Sequence, residues 1–79
     1  MSVIRILGPG CANCAKTANL IAEVARELGV DATIEKETDV ATIMKYGAMS
    51  TPGVVIDEEL VHAGGVPTVE EVRSWLRVH

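Results

Sequence analysis

The two cysteines of the chain, Cys11 and Cys14, constrain its fold more than any other feature. They lie between a short apolar run, Val3 to Leu7, and a long helical pattern that starts at Ala12. A cysteine that opens a helix sits beside unpaired backbone amides and the positive end of the helix dipole. That setting stabilises a thiolate and lowers the thiol pKa, which makes the cysteine a nucleophile at neutral pH. The second sulfur, one turn further on, is close enough to form a disulfide or to share a metal ion.

Length and composition limit the classes of function. A chain of 79 residues with 48% hydrophobic content suits one small folded domain, residues 1–79. The net charge is −4, no basic run is present, and the only aromatic residues are Tyr46 and Trp75. These features argue against binding to nucleic acid or to an anionic membrane.

The expected location follows from the termini and the cysteine count. No apolar stretch reaches membrane-spanning length, and the N-terminal segment is too short and polar for a signal peptide. Two cysteines do not make a secreted disulfide scaffold. We therefore expect a cytoplasmic protein in which the cysteine pair is catalytic or metal-binding.

The first half of the chain is predicted to form a β-α-β unit. Ser2 to Leu7 is a buried strand, interrupted by Arg5, which must point outward or reach an edge. Ala12 to Leu28 has one apolar helical face, and Gly29 stands where a helix commonly ends. Val30 to Lys36 alternates apolar and polar residues, which predicts a strand near the sheet edge. A right-handed crossover makes the two strands parallel.

The second half is predicted to form a short helix, a hairpin and a last helix. The short helix follows a cap at Thr38 or Asp39, ends near Gly47 and buries three apolar residues, Val40, Ile43 and Met44. The hairpin comprises a strand, a tight acidic turn and a returning strand, at Val54–Ile56, Asp57–Glu59 and Leu60–Ala63. Thr68 and Glu71 form a capping box for the last helix, which buries Val69, Val72, Trp75 and Leu76. The sequence thus predicts an α/β fold, β-α-β-α-β-β-α, whose four-stranded mixed sheet is flanked by helices on both faces.

That order, with Cys11-Ala12-Asn13-Cys14 at the first helix and Thr51-Pro52 just before the third strand, resembles the thioredoxin fold. Over essentially the whole chain it is similar to the small glutaredoxin-sized thioredoxins of archaea and bacteria, also called redox-active disulfide proteins. The resemblance implies a protein-disulfide oxidoreductase with no cofactor and no bound metal. It also implies that an exposed Cys11 attacks the substrate disulfide and that a more buried Cys14 resolves the mixed disulfide.

The resemblance further implies a substrate-binding surface. Pro52 would be a cis-proline packed against the cysteines, and the backbone of Thr51 would pair with an extended substrate segment. Gly64-Gly65 resembles the glycine pair that admits a glutathione backbone in glutaredoxins, although such a pair also serves simply to break a strand before a helix. The implied partners of a monomer are disulfide-containing protein substrates and, as electron donor, either glutathione or a protein of the thioredoxin-reductase type.

Three features depart from the thioredoxin pattern. The residues between the cysteines are Ala-Asn, and Pro9-Gly10 replaces the tryptophan that precedes the first cysteine. Arg5 occupies roughly the region where thioredoxins carry a buried acid that accepts the proton of the resolving cysteine. The redox potential and the preferred reductant therefore stay open.

A metal-binding role for the same cysteines is the alternative function. The loop that contains them also resembles the heavy-metal-associated domain of copper chaperones, but those domains carry methionine at the position of Pro9 and have the order β-α-β-β-α-β. A closed zinc site needs four ligands. His62 and His79 have no spacing that points to the cysteines, and we interpret both as surface residues.

Overall fold

Seven elements follow the predicted order in the computed structural model, which describes residues 2–78, so that the predicted surface position of His79 lies outside the described residues. Within this range no helix has the length and apolar character needed to cross a bilayer. The elements are β1 (Ser2–Leu7), α1 (Ala12–Leu28), β2 (Ala32–Glu37), α2 (Val40–Lys45), β3 (Gly53–Ile56), β4 (Glu59–Ala63) and α3 (Val69–Val78).

The four strands form one mixed sheet in the order β2-β1-β3-β4. β1 runs parallel to β2, as the crossover predicts, and antiparallel to β3, while β3 and β4 form an antiparallel hairpin. The prediction that β2 lies at an edge is confirmed. The loop that carries the cysteines follows β1, a central strand that is hydrogen-bonded to β2 on one side and to β3 on the other. The loop therefore begins at a strand that is held along both edges.

Helices cover both faces of the sheet, as predicted. On one face α1 and α3 pack over the side chains of alternate strand residues, among them Ile4, Ile6, Val54 and Ile56. The other face carries a smaller cluster in which Ile43 of α2 packs with Leu7, Ala48 and Val55. Burial of each such aliphatic side chain contributes about 1.5–3 kcal/mol relative to exposure. The two central strands β1 and β3 share the main core with α1 and α3.

The predicted start of β2 at Val30 is wrong by two residues, because Val30 completes the end of α1. Gly29 has a left-handed φ of 69°, and its N–H donates back into the last helical turn. The N–H of Val30 donates to the carbonyl oxygen of Ala25 at 2.9 Å, a bond that closes the helix end. Because that N–H is occupied, the strand begins only at Ala32.

Three residues predicted to be buried are exposed. Val40 and Met44 are 67% and 69% exposed, because α2 has only six residues and places Ile43 alone against the sheet. Val69, in the first turn of α3, is 40% exposed, whereas Val72 and Leu76 are buried and Trp75 is half-buried against the core. The predicted capping box is confirmed: the hydroxyl of Thr68 accepts a hydrogen bond from the Glu71 N–H, and the Glu71 carboxylate accepts one from the Thr68 N–H.

Arg5 lies on the face of the sheet that α2 packs against, and its positive charge is paired within a network of polar side chains. Its guanidinium donates to the Tyr46 hydroxyl at 2.9 Å and forms an ion pair with Glu58. Its Nε lies 3.4 Å from a carboxylate oxygen of Glu35 on the edge strand β2. The Tyr46 hydroxyl donates to the second Glu58 oxygen at 3.0 Å. The network joins α2, β2 and the hairpin across the part of the sheet that the short α2 leaves uncovered.

The hairpin turn has two residues, Asp57 and Glu58, rather than the predicted three. Both adopt positive φ angles, 49° and 72°, which match the twist of a two-residue hairpin turn. Asp57 is held to β1 by two bonds: its N–H donates to the Val3 carbonyl at 3.0 Å, and its carboxylate accepts from the Val3 N–H at 3.1 Å. Since Glu58 pairs with Arg5, both turn residues are held to the central strand β1.

The Arg5–Glu58 pair predicts a pH-dependent contribution to stability. The hydrogen bond from Arg5, with a second from Tyr46, holds the pKa of Glu58 below its ordinary value. A lowered pKa in the folded state stabilises the protein above the ordinary glutamate pKa, and this contribution is lost as the pH falls through the lowered value. We expect Glu58→Gln to reduce the free energy of unfolding in urea at pH 7, and we expect this deficit to shrink as the pH is lowered towards 3. Because Glu58 is 68% exposed and its charge is screened, the effect should be small.

Glu23→Gln, on the exposed side of α1, is the matched control and should leave the pH profile unchanged. A Glu58→Gln deficit that is equal at pH 7 and pH 3 would contradict the assignment.

Candidate active site

Cys11 is the N-cap residue of α1. Its backbone is extended, with φ −73° and ψ 170°, and its sulfur accepts a hydrogen bond from the Cys14 N–H at 3.3 Å. Cys11 is exposed and Cys14 is buried; both are free thiols, with their sulfurs 2.7 Å apart. The strand–loop–helix sequence thus places an accessible sulfur at the first turn of a helix and a covered sulfur directly behind it.

The two sulfurs differ in acidity. A hydrogen bond from the Cys14 thiol, followed by the one from the Cys14 N–H, holds the pKa of Cys11 below its ordinary value. Burial raises the pKa of the Cys14 thiol, and its hydrogen bond to Cys11 adds to the rise. Of the two sulfurs, Cys11, which a substrate can reach, is therefore the one that ionises more readily. Thiol–disulfide exchange requires a thiolate on the attacking sulfur.

Gly8 supplies the space that the sulfur of Cys14 fills. A Cβ at this position would collide with Cys14 Sγ and would lie 3.6 Å from the Cβ of Thr51. The backbone of Gly8 does not have a left-handed φ, so room rather than turn geometry requires a glycine here. Its N–H donates to the Glu37 carbonyl at 2.9 Å, which ties the loop to the end of β2. No local pattern in the sequence shows which side chain will approach Gly8, so its importance could not be predicted from the sequence.

The Thr51–Pro52 peptide bond is cis, as the resemblance implies. Pro52 is fully buried and Thr51 is exposed. The N–H of Gly64 donates to the Pro52 carbonyl at 2.9 Å, and a Cβ on Gly64 would lie 2.7 Å from the Ser50 hydroxyl. Gly64 therefore has a structural reason to be a glycine, since it packs directly on the turn that carries the cis bond.

Gly65 is turned toward a half-buried histidine. Its carbonyl oxygen lies 3.0 Å from Nε2 of His62. The His62 ring is tilted by 47° against the ring of Trp75, with the two centroids 5.6 Å apart, and its Nδ1 is 3.9 Å from a Glu71 carboxylate oxygen. The interpretation of His62 as a surface residue is wrong, because only 16% of its side chain is exposed. The paired strands β3 and β4 place the His62 ring under α3.

The structure thus brings most of the predicted site residues into one region. Cys14 and Thr51 meet at Gly8, Cys11 lies beside Cys14, and Pro52 connects them to Gly64. Gly65 follows Gly64 but contacts His62 on the α3 side.

One hollow is lined by the cysteines, and a second lies beside the cis-proline turn. A small cavity of about 40 Å³ lies behind the cysteines and is lined by Ile6, Gly8, Gly10, Cys11, Cys14, Ala15, Lys36 and Thr38. A groove of about 410 Å³ runs between α2 and the cis-proline turn and is lined by Pro9, Thr38, Val40, Ile43, Met44, Ala48, Met49, Ser50 and Thr51. The exposed α2 residues Val40 and Met44 form part of the wall of this groove.

Within residues 2–78, no group of three or more His, Cys, Asp or Glu side chains is arranged to hold a metal ion. The cysteine pair offers two sulfur ligands, whereas a closed zinc site needs four ligands. The described side chains therefore do not complete a zinc site around the pair.

The contact between Gly8 and Cys14 predicts that Gly8→Ala displaces the buried sulfur. We expect the variant to release a substrate thiol from Cys11 more slowly, because Cys14 no longer lies in line with it. Mass spectrometry during disulfide reduction should detect an accumulated mixed disulfide that the wild-type protein clears.

Gly10→Ala is the control, since a Cβ there meets nothing within 4 Å but is strained by a φ of +86°. It should cost stability, by about 1 kcal/mol, without accumulation of the mixed disulfide. Equal accumulation in both variants, or in neither, would show that Gly8 has no specific role in placing Cys14.

Comparison with known proteins agrees with this geometry. Residues 2–77 match the family model described as thioredoxin domain. The chain is 43% identical over 77 residues to a thioredoxin of Methanocaldococcus jannaschii, and this alignment covers 98% of the chain and 88% of that protein. It is 38% identical over 76 residues to a thioredoxin of Methanothermobacter thermautotrophicus, with 96% and 99% covered. The solution structure of reduced MJ0307 has a TM-score of 0.56 at 26% identity and covers 92% of this chain and 94% of that one.

The family match and both relatives span nearly the whole chain and confirm the fold and the chemistry that the sequence predicted. The pair of cysteines stands at the start of a helix on a four-stranded mixed sheet, with the two sulfurs in hydrogen-bond contact. The chain belongs to the thioredoxin family and is a thiol-disulfide oxidoreductase.

Proposed function

We propose that Cys11 is the attacking thiol and Cys14 the resolving thiol of this oxidoreductase. The Cys11 thiolate attacks one sulfur of a substrate disulfide; a bond to Cys11 forms, the substrate S–S bond breaks, and one substrate thiolate leaves. The Cys14 thiolate then attacks Cys11 Sγ, which forms the Cys11–Cys14 disulfide and releases the second substrate thiolate. The substrate gains two electrons and two protons, and the protein dithiol loses them.

The observation that carries this assignment is the opposite character of the two sulfurs. Cys11 is exposed with a lowered pKa, and Cys14 is 7% exposed with a raised pKa. A substrate disulfide can therefore reach Cys11 from the direction that in-line attack requires, whereas it cannot reach Cys14. Cys14 is then the only other thiol of the chain within reach of a mixed disulfide on Cys11.

The substrate binds, in this proposal, along Thr51 and Pro52 with its chain extended across the groove beside α2. The groove adjoins the site through Pro9 and Thr51, and every residue that lines it is uncharged. Its walls include two methionines, Met44 and the 95% exposed Met49, whose flexible side chains adapt to varied apolar partners. These features support an apolar segment of a protein substrate as the occupant.

An electron donor must return two electrons to the Cys11–Cys14 disulfide after each turnover. A thioredoxin-reductase-type protein is the donor we propose, and glutathione through Gly64-Gly65 is the alternative. The structural use of Gly64, which packs on Pro52, supports the former because it accounts for that glycine without a bound tripeptide.

Two further proposals concern the oligomeric state of the protein and its location in the cell. The site residues from Gly8 to Gly64 come from one chain, which supports a monomer as the working unit. The cysteine count supports a cytoplasmic location, since two cysteines do not make a secreted disulfide scaffold and a cytosolic pair is more often catalytic.

Substitution of each cysteine tests the assignment. Cys11→Ser should abolish reduction of a protein disulfide such as that of insulin, because the remaining sulfur is buried. Cys14→Ser should react once and stop as a stable mixed disulfide on Cys11, which mass spectrometry of the trapped complex would locate. Ala12→Ser, in the same loop, is the control and should keep turnover near the wild-type rate.

Continued turnover by Cys11→Ser would contradict the role of Cys11. Rapid release of substrate by Cys14→Ser would show that an external thiol, rather than Cys14, resolves the mixed disulfide.

A further inference from the structure

The resolving step requires Cys14 to lose its proton, and none of the site residues described above has been shown to favour that loss. Cys14 must lose its proton to attack Cys11, yet burial favours the neutral thiol. Once Cys11 is joined to substrate, its sulfur no longer carries the negative charge that accepts the Cys14 hydrogen bond. A group that favours the Cys14 thiolate at this stage would speed the release of substrate.

The acid that the thioredoxin resemblance leads one to expect is replaced by Arg5, and Arg5 cannot supply this group. Arg5 lies on the α2 face of the sheet, where Glu58 and Glu35 pair with its charge. Cys14 packs on the opposite face with Ile6. The sheet itself therefore separates the guanidinium from the sulfur.

The small cavity behind the cysteines contains one charged side chain among the described residues that line it, that of Lys36. Lys36 is the register partner of Ile6 in the parallel β1–β2 pair, which puts it on the Cys14 face of the sheet. Lys36 is exposed to solvent and also lines the cavity. The cavity of about 40 Å³ has room for water, which needs about 10–15 Å³ per molecule.

The other elements around Cys14 contribute no competing charge to the cavity. Its lining includes Ile6 and Gly8 from β1 and the loop, Ala15 from α1, and Thr38 after β2. The titratable groups that line it are the two cysteines and Lys36. Once Cys11 is bound to substrate, Lys36 is therefore the one charged side chain among the described residues that line the cavity beside Cys14.

We propose that Lys36 promotes the resolving step by favouring the thiolate of Cys14, and that the cavity is the path by which the Cys14 proton leaves for solvent. The inference rests on the proposed roles of Cys11 and Cys14. The proton passes from Cys14 Sγ to water in the cavity and then to bulk solvent. The Cys14 thiolate left beside the cation attacks Cys11 Sγ, the Cys11–Cys14 bond forms, and the bond to the substrate sulfur breaks with its electron pair going to that sulfur. Lys36 remains protonated throughout and acts through its charge.

The two steps can be timed separately with the chromogenic disulfide 5,5′-dithiobis(2-nitrobenzoate). Reduced protein in excess attacks the reagent through Cys11 and releases one coloured thiolate; Cys14 then releases the second. Stopped-flow absorbance over a range of pH gives a rate and a pH midpoint for each phase. Two equivalents released by the wild-type protein would support the proposed function, and one equivalent would contradict it whatever the behaviour of Lys36.

Lys36→Met keeps the length of the stem and removes the charge. We expect it to slow the second phase roughly three- to tenfold at neutral pH and to raise the pH midpoint of that phase by about 0.5–1 unit, with a smaller effect on the first phase. Lys36→Arg should retain the wild-type second phase. Lys16→Met, which removes a charge from the exposed side of α1 outside the cavity, is the matched control and should change neither phase.

A Lys36→Met protein whose second phase keeps the wild-type rate and midpoint would overturn the proposal. So would equal slowing of both phases, which would assign Lys36 a general effect on the site, or a Lys36→Arg protein as slow as Lys36→Met.

Discussion

The contact between the two sulfurs at the start of α1 is the interaction on which the site depends. It gives Cys11 a hydrogen-bond donor that lowers the pKa of this accessible thiol, and it keeps Cys14 next to the atom that it is proposed to attack. The contact exists only because Gly8 presents no side chain where the Cys14 sulfur lies. One missing Cβ thus permits the geometry on which both proposed steps rely.

The rest of the fold holds this contact in place from two sides. From within the sheet, β1 delivers the loop and pairs with both β2 and β3, so the loop begins on the most constrained strand. From across the site, the cis Thr51–Pro52 turn is fixed by the Gly64 N–H. On the far face, the Arg5 network closes the area that the short α2 leaves open, which keeps that arginine away from the catalytic face.

A structural feature could be predicted from the sequence when the residues that cause it lie close to one another along the chain. The bounds of α1, its end at Gly29 and the capping box of Thr68 and Glu71 were predicted correctly, because each is decided by residues within a few positions of one another. The cis bond before Pro52 was expected only through the family resemblance, since an isolated X-Pro bond is cis only about 5% of the time.

The parts that were missed depend on contacts between distant segments. Gly8 and Lys36 gain their importance from the side chain of Cys14, and His62 is covered by α3, an element that follows it in the chain. Val40 and Met44 have helical spacing suited to burial, but α2 is too short to bury them and they line a groove instead. No periodicity in one segment reports what another segment will place against it.

Titration of the purified protein through a glutathione redox buffer, with zinc and copper(I) binding measured on the reduced form, tests the central claim most directly. We predict a reversible two-electron couple between the dithiol and the Cys11–Cys14 disulfide, at a potential within about −270 to −120 mV, the range of known oxidoreductases. The contrary result is a protein that forms no disulfide and, when reduced, holds one metal ion tightly. The same cysteines would then serve metal handling on a thioredoxin scaffold.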